Sequence, residues 1–276
     1  MSDKTIAFIG AGNMTRAIIT GLINNQFPKD KIIASNRSPE KLDALRDEFG
    51  VRTTINNNEA IAAAEVIVLA VKPQLMADVI DDFDGHQPDT QQTEKLFISI
   101  AAGINVARLQ QMLGFTAPVV RVMPNTPCAI GKGMSGIYAS EQVSEADKTL
   151  ADFLMQQTGE TIWVAEESRI DGVIAAAGSS PAYFFLFLEA MQNKAVQLGF
   201  ASEDARKMVQ QAMLGAAEMV CHNPQLELSQ LRAQVTSKGG TTAQAIAKFE
   251  QHKLPETVAE AMQAAVDRAN EMSDLF

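Results

Sequence analysis

Along residues 4–164, short β-branched and apolar runs recur between stretches of helical spacing. KTIAFIG, KIIASN, VIVLAV, KLFISIA, PVVRVMP and TIWVA are the strand candidates. Strand and helix in alternation predict an α/β fold with a parallel sheet covered by helices. VIVLAV is apolar at every position, as a strand buried on both faces must be. After TIWVAEES the strand pattern ends, and the remainder reads as helices rich in Ala, Met, Leu and Gln, one of them long, from about Ser180 to Leu198. Within it, YFFLFLEAM is apolar nearly all round, which in a small helical domain predicts burial at a dimer interface.

A chain of 276 residues is long enough for two domains, and the change of pattern places them at 1–164 and 165–276. No single apolar run reaches the roughly 20 residues that span a bilayer. The N-terminus MSDKTIAFIG lacks the basic, apolar and small-residue regions of a secretory signal, so a cytoplasmic protein without a membrane partner is expected. The formal net charge of -10 argues against a nucleic-acid partner, which demands a basic face. Cys128 and Cys221 form no CxxC, and His86, His222 and His252 are scattered, so neither a disulfide framework nor a metal site is expected.

The candidate chemistry begins at FIGAGNMTRAI, residues 8–18, which follows a strand and enters a helix. That context suits a dinucleotide-binding turn. Gly10 permits the tight turn and Gly12 lets a pyrophosphate approach the backbone, while the helix start attracts its charge. The third glycine of the pattern is replaced by Thr15. Because that glycine serves helix packing on the strand, the replacement should alter helix placement more than phosphate contact.

At the end of the second strand stand Ser35, Asn36, Arg37 and Ser38, where an NAD site would carry a carboxylate for the ribose hydroxyls. A guanidinium instead suits a 2′-phosphate. This predicts NADP(H) as coenzyme, with NAD(H) as the lesser alternative. AVKPQ, SIAAG and RVMPNTP end three further strands with small residues or proline, predicting a cleft at the sheet's carboxyl edge. In the helical half, VTSKGGTTAQAIAKF places two glycines and small hydroxyls before an amphipathic helix. The amides of Gly239, Gly240 and Thr241 could hold a carboxylate beside the Thr242 hydroxyl; an ordinary threonine helix cap is the alternative.

These stretches together resemble the pyrroline-5-carboxylate reductases: FIGAGNM, AVKP, SIAAG, MPNTP, GSSPAY and VTSKGGTT stand in that family's order over nearly the whole chain. The resemblance implies an N-terminal Rossmann-type domain and a helical domain that dimerises by interlocking, often into a ring of five dimers. It implies reduction of a ring imine to L-proline by NAD(P)H. By motif position, Ile9, Gly10, Ala11, Gly12, Asn13 and Met14, with Asn36, Asn57, Ala70, Val71, Lys72, Pro73, Ile100, Ala101 and Ala102, should line the coenzyme. Glu167, Ser237, Gly239, Gly240, Thr241 and Thr242 should surround the substrate across the domain and dimer boundaries, with Thr242 as the group at the ring nitrogen.

Two departures stand out: Thr15, and Lys238 where the family often has proline. A reductase of a related cyclic imine carboxylate remains an alternative. A 3-hydroxyacid dehydrogenase is disfavoured, since it would use a lysine early in the first long helix and GSSPAYFFLFLEAM offers none before Lys194.

Overall fold

The computed structural model describes residues 4–83 and 94–275; His86 lies outside the described residues. By packing, the chain forms two compact units, Met1–Ser179 with Ala265–Phe276, and Ser180–Ala264.

The first unit is built from β1 (Ile6–Ile9), α1 (Asn13–Asn24), β2 (Ile32–Ser35), α2 (Pro39–Phe49), β3 (Arg52–Thr54), α3 (Asn57–Ala62), β4 (Val66–Leu69), α4 (Met76–Asp81), β5 (Leu96–Ser99), α5 (Val106–Leu113), β6 (Val119–Met123), β7 (Gly133–Ala139), α6 (Glu145–Gln156), β8 (Gly159–Trp163) and α7 (Arg169–Val173). One sheet results, in the order β3-β2-β1-β4-β5-β6-β7-β8. The chain starts in the middle of the sheet, and the order reverses between β1 and β4, the place where such sheets open a ligand crevice.

Strand alternation explains why helices cover both faces. Ile6 and Phe8 of β1 pack with Ile18, Ile19 and Leu22 of α1, Leu42 and Leu45 of α2 and Leu150 and Leu154 of α6. Ala7 and Ile9 point the other way, into a second core with Ile61 of α3, Val79 and Ile80 of α4 and Leu109 and Leu113 of α5.

The sheet departs from expectation in two strands. β3 is three residues, RTT, too short and polar to show a strand pattern. β7 runs antiparallel to β6, so the sheet is mixed rather than wholly parallel. Its sequence GMSGIYA hides the strand behind glycines that its packing requires. A Cβ on Gly133 would run into the Cys128 sulfur, and one on Gly136 would lie 2.7 Å from Val173 Cγ1.

The helical unit contains α8 (Ser180–Gln197), α9 (Ser202–His222), α10 (Leu228–Gln234) and α11 (Thr241–Gln251); α12 (Leu254–Leu275) begins here and ends in the first unit. The division expected at 164/165 marks where strand structure ends, at Trp163, whereas the packing units part at Ser179/Ser180. A π-helical turn, Ile174–Gly178, joins α7 to α8. The resulting helix, Arg169–Gln197, is by length and composition apolar enough to cross a membrane. Treating each apolar run separately missed this, because alanines and small serines splice two short runs together. In the single chain α8 has no buried residue, and Phe185 and Leu186 are 65% and 69% exposed. So large an unpartnered apolar face marks an interaction surface.

Candidate active site

Strand register brings the separate coenzyme candidates of the first unit to one edge. Ile9 is level with Ser35 of β2 and Leu69 of β4, and Leu69 is level with Ser99 of β5. The residues that follow each strand, Gly10, Asn36, Ala70 and Ile100, therefore sit side by side at the carboxyl edge. Backbone bonds fix the row: Gly10 N–H donates to Ser35 O at 2.8 Å, Ala70 N–H to Ile9 O at 2.9 Å and Ile100 N–H to Leu69 O at 3.2 Å.

Gly10 has φ +110, and a Cβ there would stand 2.7 Å from the Ala70 carbonyl oxygen. Only glycine fits that backbone and that approach. Gly12 differs: it is the N-cap of α1, its φ is -86, and a Cβ there would meet nothing within 4 Å. No side chain caps α1, and its first turn holds no acid. The start of α1, with its first-turn amides and helix dipole, thus has open space beside Gly12 and no side-chain cap, the chemistry a pyrophosphate requires.

Thr15 is fully buried, and its hydroxyl donates to Gly10 O at 2.7 Å. The replaced glycine has become a brace across the turn, tying α1 to the backbone at Gly10.

Asn36 Oδ1 accepts from Ala11 N–H at 3.4 Å and its Nδ2 donates to Ser38 O at 3.2 Å, linking the β2 end to the glycine turn. Buried Ser35 donates to Asn57 Oδ1 at 2.6 Å, bringing α3 to the same place. Arg37 is exposed and its Nη2 lies 2.8 Å from Asp82 Oδ2. Val71, Lys72 and Pro73 lead from β4 into a 3-10 turn, with Lys72 exposed. Ala101 is buried, and Ile100 and Ala102 are half-buried at the end of β5. All the coenzyme candidates thus belong to one unit and one sheet edge, and the residues present fit a dinucleotide.

Glu167 also belongs to this unit. Its Oε1 accepts from Val106 N–H at 2.8 Å, at the start of α5, and from Arg121 Nη1 at 3.0 Å. Arg121 is level with Ser99, so the pair lies in the same row of strand ends. Arg121 Nη2 and Asp171 Oδ1 are buried without a hydrogen-bond partner. Burial pushes the Asp171 carboxyl above its usual range, Arg121 opposes that rise, and Glu167 adds to it. Arg121 and Asp171 were not among the sequence candidates. The available signal was an arginine inside an otherwise apolar strand, PVVRVMP, which needs a buried acid as partner.

In the helical unit, Ser237, Gly239, Gly240, Thr241 and Thr242 form one turn. Gly239 takes φ +74, and Gly240 N–H donates to Ser237 O at 3.0 Å. The Gly240 amide therefore closes the turn, and of the three candidate carboxylate donors its N–H is the one engaged within the chain. Gly240, not a threonine, is the N-cap of α11, and no side chain caps the helix. Thr241 and Thr242 are its first two residues and both are exposed, with no acid in the first turn. A Cβ on Gly240 would approach Ser237 Oγ to 2.5 Å, so the glycine keeps the serine in place. This helix start offers amides and a hydroxyl to an anion. Among the described residues no cluster of His, Cys, Asp and Glu could hold a metal ion.

Comparison with known proteins bears on both units. The family model "Pyrroline-5-carboxylate reductase dimerisation" matches residues 167–272, and "NADP oxidoreductase coenzyme F420-dependent" matches residues 5–103. The pyrroline-5-carboxylate reductase of Vibrio alginolyticus is 55% identical over 100% of both chains. The chain belongs to the pyrroline-5-carboxylate reductase family. That of Escherichia coli (strain K12) is 34% identical over 98% of this chain and 99% of its own. Among solved structures, the family member from Coxiella burnetii superposes with TM-score 0.92 at 41% identity, covering 99% of each chain. The Plasmodium falciparum pyrroline carboxylate reductase with NADP bound gives 0.85 at 28% identity, again over 99% of each. The Rossmann-type sheet followed by a helical dimerisation domain is thus the family architecture, and the exposed apolar face of α8 lies inside the dimerisation match.

Proposed function

We propose that this chain reduces 1-pyrroline-5-carboxylate to L-proline, the last step of proline synthesis, as a homodimer in the cytoplasm, with assembly of five such dimers as its larger form. NADPH is the preferred coenzyme and NADH the alternative. Residues 1–164 serve the coenzyme and 165–276 serve substrate and dimerisation. The observation that carries the reading is the open, uncapped start of α1 at the row of strand ends, beside a Gly12 whose missing side chain leaves room for a pyrophosphate. It stands in a chain that matches the reductase family from end to end.

The coenzyme, when bound, supplies the hydride that the imine carbon accepts. The chain's own residues bind and orient. Ile9 to Met14 cradle the pyrophosphate, Ser35, Asn36, Arg37 and Asn57 take the adenosine end, and Ala70 to Pro73 with Ile100 to Ala102 flank the nicotinamide.

For the substrate, the amides of Gly239 and Thr241 hold the carboxylate with Ser237 beside them. The Thr242 hydroxyl hydrogen-bonds the ring nitrogen. An imine accepts hydride more readily when its nitrogen is protonated, and threonine is too weak an acid to supply that proton alone. Thr242 therefore orients an iminium that arrives protonated and stabilises its N–H as the amine forms. Glu167, held in the first unit by Arg121 and Val106, is the remaining substrate-binding candidate.

The test is Thr242→Val, which keeps the shape and removes the hydroxyl. Loss of one charge-assisted hydrogen bond should lower kcat/KM about tenfold or more. Unchanged steady-state kinetics would remove Thr242 from the mechanism.

A further inference from the structure

The guanidinium assigned to the 2′-phosphate already has an anionic neighbour, Asp82, at 2.8 Å. The carboxylate is fixed by more than that contact. Asp82 directly follows α4, and its carbonyl oxygen accepts from Asn58 Nδ2 at 3.0 Å. Asn58 adjoins Asn57, which is tied to Ser35 at the end of β2, two positions before Arg37. A chain of short hydrogen bonds thus sets the end of α4 against the strand end that carries the arginine. Aspartate is also a short side chain, so the place of its carboxylate follows the backbone closely.

A carboxylate here acts differently on the two coenzymes. A 2′-phosphate brings roughly 1.5 to 2 negative charges, as other phosphate monoesters do. To reach Arg37 it must displace Asp82 or share the guanidinium with it, and two anions on one cation repel. A ribose 2′-hydroxyl meets no such conflict and can itself donate to a carboxylate.

We infer that Asp82 is a specificity-determining residue that, by pairing with Arg37, restrains the preference for NADPH over NADH. The inference rests on the reading of Arg37 as the 2′-phosphate contact. With Arg37 and Asp82 side chains 66% and 62% exposed, solvent screens the pair and its effect is modest.

The experiment is calorimetric binding of NADPH and NADH to the full chain carrying Asp82→Asn, Arg37→Ala or both, with thermal melts to establish folding. Asp82→Asn should tighten NADPH about two- to fivefold, the scale of an exposed ion pair, and lower the NADPH/NADH Kd ratio accordingly. In the Arg37→Ala background the same substitution should have no such effect. If Arg37→Ala raises the ratio while Asp82→Asn leaves it unchanged, Asp82 is not a determinant and the assignment of Arg37 stands. If Arg37→Ala leaves the ratio unchanged, that assignment fails and the inference with it. A gain from Asp82→Asn that persists without Arg37 overturns the pairing.

Discussion

The two glycines of the turn between β1 and α1, Gly10 and Gly12, should respond oppositely to the same substitution. In Gly12→Ala the new methyl meets nothing within 4 Å, and φ -86 suits any residue. The helix loses a favourable N-cap, at about 0.5–1 kcal/mol, but the unfolded chain loses freedom worth about 0.4–1 kcal/mol. The net change should be under about 1 kcal/mol, or a few degrees in Tm for a chain of this size.

In the proposed site the methyl would instead occupy the space through which a pyrophosphate approaches. Losing one charge-assisted hydrogen bond of about 1.5–3 kcal/mol weakens the coenzyme roughly 10- to 100-fold. Gly10→Ala places its methyl 2.7 Å from the Ala70 oxygen at φ +110. Backbone strain of about 1–3 kcal/mol and overpacking of about 1–3 kcal/mol then fall on stability. Denaturant melts and NADPH calorimetry on both variants separate the effects. A Gly12→Ala protein that binds NADPH like the parent would refute the placement of the pyrophosphate, and a Gly10→Ala protein of parental stability would refute the account of the turn.

Thr15→Val removes the buried hydroxyl bonded to Gly10 O and should cost about 1–3 kcal/mol, read as a lower denaturant midpoint; an unchanged midpoint would show that the brace carries no stability. Asp171 ionises less readily when folded, so its contribution is most favourable in acid and is lost as pH rises through its folded pKa. Asp171→Asn should therefore gain stability relative to the parent at neutral pH, with the gain vanishing below the usual carboxylate range; melts across that pH range check it. Phe185 is 65% exposed in the single chain. Phe185→Asp should leave the secondary structure intact and shift the oligomer toward monomer in sedimentation, while an unchanged oligomer would remove this part of α8 from the interface.

Much of the row of strand ends was legible because its signals are local. Gly10 and Gly12 lie next to a strand and a helix start, and AVKP and SIAAG each end an apolar strand, so register alone aligns them. The helical unit was legible as helices for the same reason. What escaped was long-range or hidden by glycine. β7 is absent from the strand candidates because Gly133 and Gly136, which break its pattern, answer to Cys128 and Val173. The bond from Gly240 N–H to Ser237 O was not legible either, because it depends on the turn's geometry. The partners of Arg121 lie far along the chain, and only the folded sheet brings Glu167 to its side. Thr15 was recognised as a departure, but its bond to Gly10 shows what the departure does.

The most direct measurement is a spectrophotometric assay of the purified protein with 1-pyrroline-5-carboxylate and either NADPH or NADH, with the amino acid product identified. Loss of absorbance at the nicotinamide band should match the L-proline formed, with higher kcat/KM for NADPH. Tight NADPH binding without turnover of the imine, or reduction of a 3-hydroxyacid's aldehyde in its place, would contradict the proposed reaction.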